Sequence, residues 1–442
     1  MNTAEKNLYR IVVTIVVLVI CGNCAQKHPT KQELQQSLTL RAEQGDVQAQ
    51  FELGKFYYFL EENPARHEKA YPWFVKAAEK GNAYAMHYLG RMYHYGYFVQ
   101  KDERKAKDYF SKSIATIQND SLTKNPEAWY CMGWSFHYGI EVEKNDTEAV
   151  KCFEKAAKKG NIIAQYDLGL CYIKGEGAEK DQKQAEKWMR KAAECNDAMA
   201  QYLFAFKSIW FSTDDLENFK ILYNQLNADS KNIVKWLTLS SHQGLSYAEY
   251  SLGNLYDVQS AFCLSSNEQR ALELKTSAAQ KGYFIAQYDI GKYYIFKWYG
   301  NNQNQSNYDK AIFWFEKAAA SGSVPAQYEM FSHYALRDLD KALYWLELAA
   351  NQGDKDSQSM LGTYYLLGKG VKKNYVIAYK WLILGLRFGD DETIPMIDDT
   401  MSAEDIAKGE KLVKTWTPKI NTNNNFIIQP YNVINVTLLE LR

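Results

Sequence analysis

Proline is scarce in this chain. Only 8 of its 442 residues are Pro, against 33 Tyr and 11 Trp, so helix breakers are few and large rings many. That balance disfavours loops and sheets and favours packed helices. Cysteine is scarce too, and 7 scattered residues are too few for a disulfide framework. Excess charge of one sign is absent, because Lys+Arg and Asp+Glu both number 52. Without net charge no long-range field draws the chain to nucleic acid or an anionic membrane, which excludes bulk DNA or RNA binding. Beyond Ile20 no apolar run approaches the roughly 20 residues that span a bilayer. Core-forming material is ample: 46% hydrophobic and 24% charged residues exclude wholesale disorder. At about 150 residues per domain, length alone suggests three domains.

The N-terminus reads as an export signal over residues 1–25. Lys6 and Arg10 precede the apolar run Ile11–Ile20, which is too short to span a bilayer but suits a signal-peptide core. The next residues are Cys21-Gly22-Asn23-Cys24-Ala25-Gln26. A cysteine after such a core resembles the bacterial lipoprotein signal, which implies lipidation at Cys24 or Cys21. Ile20 and Asn23 are larger than the small residue that signal expects before its cysteine. An ordinary cleaved signal and an uncleaved anchor are the alternatives. The expected location is the periplasm or outer membrane, with secretion as second choice. Membrane contact is expected only through the lipid or anchor.

One unit then repeats. Its register is set by Ala49, Ala85, Ala128, Ala164, Ala200, Ala248, Ala286 and Ala326, with Ser357 in the ninth place. Taking these as position zero of a helix A, position four is always Leu, Met, Ile or Phe, position five is Gly in seven repeats, and position eight is nearly always Tyr or Phe. Positions zero, four and eight share one helical face and form a buried stripe. Gly weakens a helix interior, so its recurrence calls for close helix–helix approach. A helix B follows, starting at Ala70, Ala106, Ala149, Ala185, Ile233, Ala271, Ala311, Ala342 and Ala378. Position three of B is usually Trp or Tyr, and position eleven is usually Gly, suited to a left-handed C-cap. Each unit is a helical hairpin.

Spacing separates the rigid from the tolerant. From B to the next A the interval is 15 residues except after repeat two, where an insertion falls near Asn119–Pro126. From A to B it varies, and the Phe211–Asn232 and Asn301–Asn307 segments lie on that edge. A constant interval implies a packed turn and a variable one implies solvent-facing loops.

The pattern A-x-x-x-L-G-x-x-Y…G-x-G…A-x-x-W-x-x-K-A-A-x-x-G, best seen in Ala164–Asn196, resembles the Sel-one-like repeat, a relative of the tetratricopeptide repeat. The resemblance implies an all-α fold, an α-solenoid of about nine helix-turn-helix repeats forming a right-handed superhelix. It replaces three domains by one array over 41–390, after a lead-in at 26–40. The segment Ser402–Trp416 is similar to the closing helix of such arrays and opens with a Ser-x-x-Asp capping pattern, so 391–417 is expected to cap. The tail 418–442 ends in the apolar, β-branched stretch Phe426–Arg442 and is expected to dock on the solenoid end. Repeat five departs from the pattern at Ala205 and Ser208, and repeat eight at Phe331.

No catalytic, cofactor or metal site is expected. H-E-x-x-H, G-x-S-x-G and phosphate-loop patterns are missing, and His94 and His137 merely share one repeat slot. Gly175-Glu176-Gly177 and Gly368-Lys369-Gly370 are loop glycines of the repeat. Cys131, Cys152, Cys171 and Cys195 are candidates for one or two disulfides after export, with buried thiols as the alternative. Cysteine-rich bacterial relatives connected with β-lactam binding or hydrolysis carry a regular pattern that is missing here.

Similarity to tetratricopeptide repeats implies that positions two, six and nine of helix A face a concave groove. Position two contributes Tyr130, Tyr166, Tyr202, Tyr250 and Tyr288, position six Arg91 and Trp134, and position nine His137. Aromatic residues make low-entropy anchors for a partner. A recurring Tyr also suits packing against the next hairpin, whereas Arg91 and Trp134 do not recur. The expected function is a non-enzymatic scaffold of the bacterial envelope holding a protein or extended peptide. A secreted cell-wall or virulence-associated interaction protein is the alternative, and an envelope hydrolase a remoter one.

Overall fold

The turn from each helix B to the next helix A explains the fifteen-residue interval. In the computed structural model, B ends on a left-handed glycine: Gly81, Gly160, Gly244, Gly282, Gly322 and Gly353 all have φ between 83° and 99°. In repeat four Asn196 takes the same conformation at φ 68°. The next residue caps helix A. Asp46, Asn82, Asn161, Asp197 and Asp354 each accept the N–H at position zero, at 2.7 to 3.0 Å. The Gln at position one then reaches back eight residues. Gln50, Gln165, Gln201, Gln287, Gln327 and Gln358 donate Nε2 to the carbonyls of Ala42, Ala157, Ala193, Ala279, Ala319 and Ala350, at 3.0 to 3.1 Å. A helix C-terminus leaves carbonyls without an intrahelical partner, and this buried amide satisfies one of them. In repeat six Glu249 stands in the Gln place, and Lys281 bridges it to the carbonyl of Gly244.

The structure describes residues 31–59, 66–121, 125–206, 230–257, 267–300, 303–386 and 401–419. The signal segment with Cys21 and Cys24, most of the Phe211–Asn232 insertion, 391–400 and the tail beyond Lys419 lie outside them. Among the described residues there are helices and no strand, and no helix is long and apolar enough to cross a membrane. Two compact units divide the chain, one drawn from Met1–Phe59 and His67–Tyr109, the other from Leu60–Arg66 and Phe110–Arg442.

In the first unit α1 (Lys31–Glu43) precedes the hairpin α2 (Val47–Tyr58) and α3 (Arg66–Glu79) and the helix A of repeat two, α4 (Ala83–Tyr95). The lead-in helix α1 takes a helix-B place, burying Leu38 and Ala42 against Ala49 and Leu53. Helix α5 (Glu103–Ser121) continues from this unit into the second.

The second unit then alternates A and B helices. They are α6 (Pro126–Tyr138) and α7 (Asp146–Lys158), α8 (Ile162–Lys174) and α9 (Gln182–Glu194), then α10 (Ala198–Ala205) and α11 (Ser230–His242). Next come α12 (Ser246–Asp257) and α13 (Glu268–Gln280), then α14 (Phe284–Gly300) and α15 (Gln305–Ala320). The last pairs are α16 (Val324–Tyr334) with α17 (Leu339–Asn351), and α18 (Lys355–Leu367) with α19 (Tyr375–Gly385). Position-five glycine explains itself here. A Cβ on Gly133, Gly291 or Gly362 would come within 2.5 to 2.7 Å of Phe153, Phe315 or Leu382, the facing residues of helix B. The divergent repeat five still packs, burying Tyr202, Leu203, Phe204, Ile233 and Leu237 in one cluster.

A closing helix α20 (Ala403–Lys414) is capped by Ser402, whose hydroxyl accepts from Asp405 N at 3.2 Å. Gly409 lies against the Tyr379 ring, Trp416 meets Trp381 edge-on at 6.4 Å, and Lys419 N donates to Asn351 O at 2.7 Å. The cap covers the outer side of the ninth hairpin.

Candidate partner-binding face

Position two of helix A lies over helix B of its own hairpin or over the start of the next helix A. Tyr130 packs on Phe153 at 6.0 Å, Tyr288 on Phe315 at 5.6 Å, Tyr202 on Tyr247 at 6.1 Å and Tyr250 on Tyr283 at 5.2 Å. Tyr130, Tyr202 and Tyr250 are therefore buried, and Tyr166 and Tyr288 half-buried. Burial pushes the Tyr202 hydroxyl up to about 12, so it is a packed phenol. Trp134 is only 3% exposed, stacked on Phe110 at 5.7 Å and against Tyr138 at 4.6 Å. It fills the core where a presented anchor was expected.

Arg91 belongs to the first unit and sits between two rings, its guanidinium 5.3 Å from Tyr58 and 5.2 Å from Tyr88. Beside it His87 is fully buried, and burial and then the Arg91 charge hold its pKa well below the ordinary value. In the second unit His137 Nδ1 is 2.7 Å from Asp146 Oδ1, across the loop from α6 to α7. His94 makes the equivalent contact to Glu103 at 2.9 Å, so this recurring pair braces a loop.

The sequence residues that the structure does bring together are Tyr250 and Tyr288. The Tyr250 hydroxyl donates to Asp289 Oδ2 at 2.6 Å, and the Lys292 ammonium lies 2.8 Å from Asp289 Oδ1. The same ammonium is 4.9 Å from the Tyr288 ring centroid. Burial, then Glu329 and Asp289, push Tyr288 up to about 12. Burial also raises the Glu329 carboxyl, with Lys292 opposing. This mixed network holds cation, carboxylates and rings in place across repeats six to eight.

Helix A presents a different stripe, which sequence reasoning missed. Its outermost apolar residues are at position ten. Phe59 and Tyr95 in the first unit, and Tyr138, Phe296, Leu336 and Leu367 in the second, occupy position ten and are all exposed. Phe296, Leu336 and Leu367 are 76%, 97% and 66% exposed, among the highest values for apolar side chains in the chain. Repeat four has Lys174 at this place. The signal is in the sequence, since a large apolar residue recurs there, one place beyond the position-nine slot implied to face the groove.

Among the described residues Cys131, Cys152, Cys171 and Cys195 are free thiols, the first three buried and Cys195 exposed. Burial pushes Cys152 up to about 11 and Cys171 to about 12, which leaves them poor nucleophiles. Among the described residues no group of three or more His, Cys, Asp or Glu is placed to hold a metal ion.

A family model described as Sel1 repeat matches the chain at residues 47–82, 83–115, 126–161, 162–197, 246–283, 285–323, 324–354 and 355–386. These eight matches pass over the fifth hairpin, the one with the eight-residue helix α10. Among solved structures, the chain is similar to a protective antigen of uropathogenic Escherichia coli with an SLR fold, at 24% identity and TM-score 0.39. That match covers 88% of this chain and 95% of the antigen. A Sel1 repeat protein from Oxalobacter formigenes matches at 23% identity and TM-score 0.46, covering 79% of this chain and 99% of that one. An immunity protein from Pseudomonas aeruginosa matches at 19% identity and TM-score 0.33, covering 51% and 80%. No curated protein matches the chain.

Proposed function

Because the chain belongs to the Sel1 repeat family, whose members are generally non-catalytic protein-interaction scaffolds, we propose that it is an exported scaffold that holds a partner protein through the outer stripe of its A helices. The observation that carries this is position ten. Large apolar side chains are left in water there in repeats one and two of the first unit and in repeats three, seven, eight and nine of the second, while those at positions zero and four are buried. A row of solvated apolar side chains on one repeat slot is what a partner lying across successive helices would use. Export rests on Lys6, Arg10, Ile11–Ile20 and the cysteine pair, with Cys24 ahead of Cys21 as the lipidated residue.

The scaffold reading is tested by capture from a bacterial envelope extract, with the native chain beside Phe296→Ser/Leu336→Ser/Leu367→Ser. Exposed positions tolerate such changes, so the variant should fold with native circular dichroism. A partner retained by the native chain and lost by the variant is the expected result. Equal capture by both moves the binding face elsewhere, and no capture by either removes the scaffold reading. Lipidation is tested by fatty-acid labelling of native, Cys21→Ser and Cys24→Ser chains, with loss of label expected in Cys24→Ser.

A further inference from the structure

Repeats seven to nine carry a feature that repeats three and four lack. In each, the exposed apolar residue at position ten is followed within two residues by a cation: Phe296 by Lys297, Leu336 by Arg337, Leu367 by Lys369. Each cation folds back over position seven of its repeat's helix A, Lys297 from within the helix and Arg337 and Lys369 from the turn just past its end. Lys297 Nζ lies 5.4 Å from the Tyr293 centroid and Lys369 Nζ 5.6 Å from that of Tyr364, while Arg337 Nη1 donates to the His333 carbonyl at 2.6 Å. None of the three has a carboxylate partner among the described residues. The nearby Asp338 is occupied, capping α17 and lying 3.3 Å from the Lys341 ammonium. Earlier hairpins differ, with glycine after Tyr138 and Lys174 itself at position ten in repeat four.

We propose that this face of repeats seven to nine docks a segment of a partner protein in which acidic and apolar side chains are interspersed. This face sets charge complementarity beside apolar area. Three apolar side chains would be taken out of water, and three unneutralised cations would meet carboxylates at the same edge. Cation–π contact with Tyr293 and Tyr364 restrains the Lys297 and Lys369 heads before any partner arrives, which lowers the entropy lost on pairing. The inference rests on the scaffold reading and adds the chemistry of the partner to it.

The probe is a fluorescein-labelled peptide in which Glu is interspersed with Leu and Val, titrated into the full chain and read by anisotropy. Its counterpart carries Lys for every Glu. The proteins are the native chain and Lys297→Glu/Arg337→Glu/Lys369→Glu, all exposed or half-buried positions away from the core. The acidic peptide should bind the native chain, weaken with added salt, and lose roughly tenfold or more on the charge-reversed chain. The Lys peptide should show the opposite preference. Equal binding of both peptides to the native chain, or acidic binding indifferent to charge reversal, overturns the proposal, as does binding of neither. Preference for vesicles of anionic phospholipid over the acidic peptide would also overturn it. The envelope capture separates this failure from that of the scaffold reading. A partner lost by the Ser triple variant but kept by the charge-reversed chain leaves the scaffold intact and removes only the acidic chemistry.

Discussion

Asp46 and Asp197 do the same job with opposite proton affinities. Each caps a helix A by accepting the N–H of position zero, at 3.0 and 2.7 Å. The Ala49 N–H and the Arg41 guanidinium hold Asp46 below its ordinary value, whereas burial pushes Asp197 up to about 6 from 3.8. A carboxyl whose pKa is raised on folding binds its proton more tightly in the folded chain. Its contribution is most favourable below about pH 4 and is lost as pH rises through 6. Asn caps as well as Asp and carries no charge. Asp197→Asn should therefore be more stable than the native chain at pH 7, with the gain shrinking toward pH 4, as compared by urea midpoints at both pH values. The glutamine at position one makes a second residue-scale case. Gln327 donates to Ala319 O at 3.1 Å and accepts from Gln352 Nε2 at 2.9 Å, in a buried site. Gln327→Leu strands both partners and should cost about 1–3 kcal/mol, read as a lower denaturation midpoint.

Between paired helices, the opposing terms at position five can be weighed. Gly291→Ala gains about 1 kcal/mol of helix propensity, but its Cβ would lie 2.5 Å from the Phe315 ring. Forcing an atom into a filled core costs about 1–3 kcal/mol, so the variant should be less stable. In a Phe315→Leu background the Gly291→Ala penalty should shrink, and a double-mutant cycle measures that coupling. This contact was legible from the sequence, because a glycine recurring inside a helix had no other physical reason. The hairpins, the left-handed glycines ending B and the capping Ser402 were legible for the same cause: local rules repeated in register. The helix-B role of α1 was legible only in part: left-handed Gly45 ends it as Gly81 ends α3, but Ser37 stands where B elsewhere has Trp or Tyr. The face was legible only in part. A helical wheel separates one side from another but does not say where the neighbouring helix lies. The offset-two tyrosines fell on the far side of the wheel from positions zero, four and eight, yet Phe153 and Phe315 cover Tyr130 and Tyr288. Trp134 does not recur, which points to a partner anchor, but Phe110 on the preceding helix B provides its packing surface.

At the scale of the second unit, cohesion passes from hairpin to hairpin. The clusters around Tyr250 and Ala286, around Phe315 and Met330, and around Leu346 and Leu361 each join one repeat to the next. In such an array stability is close to a sum of repeat and nearest-neighbour contributions, so a local fault should not spread evenly. Gly291→Ala strains the α14–α15 pair, which meets α13 on one side through Ala278 and Ala279 and α16 on the other through Ala326 and Met330. Hydrogen exchange should therefore quicken in α14 and α15, less so in α13 and α16, and stay unchanged in α6 and α7. Uniform quickening through all of these helices would mean that the unit unfolds as one cooperative body. A hairpin-by-hairpin gradient would mean that the acidic-peptide face on repeats seven to nine can open without loosening repeats three and four. In that case peptide binding should restore protection in α14, α16 and α18 of Gly291→Ala and leave α6 and α7 unaltered, which ties the docking face and the weakened hairpin to the same local equilibrium.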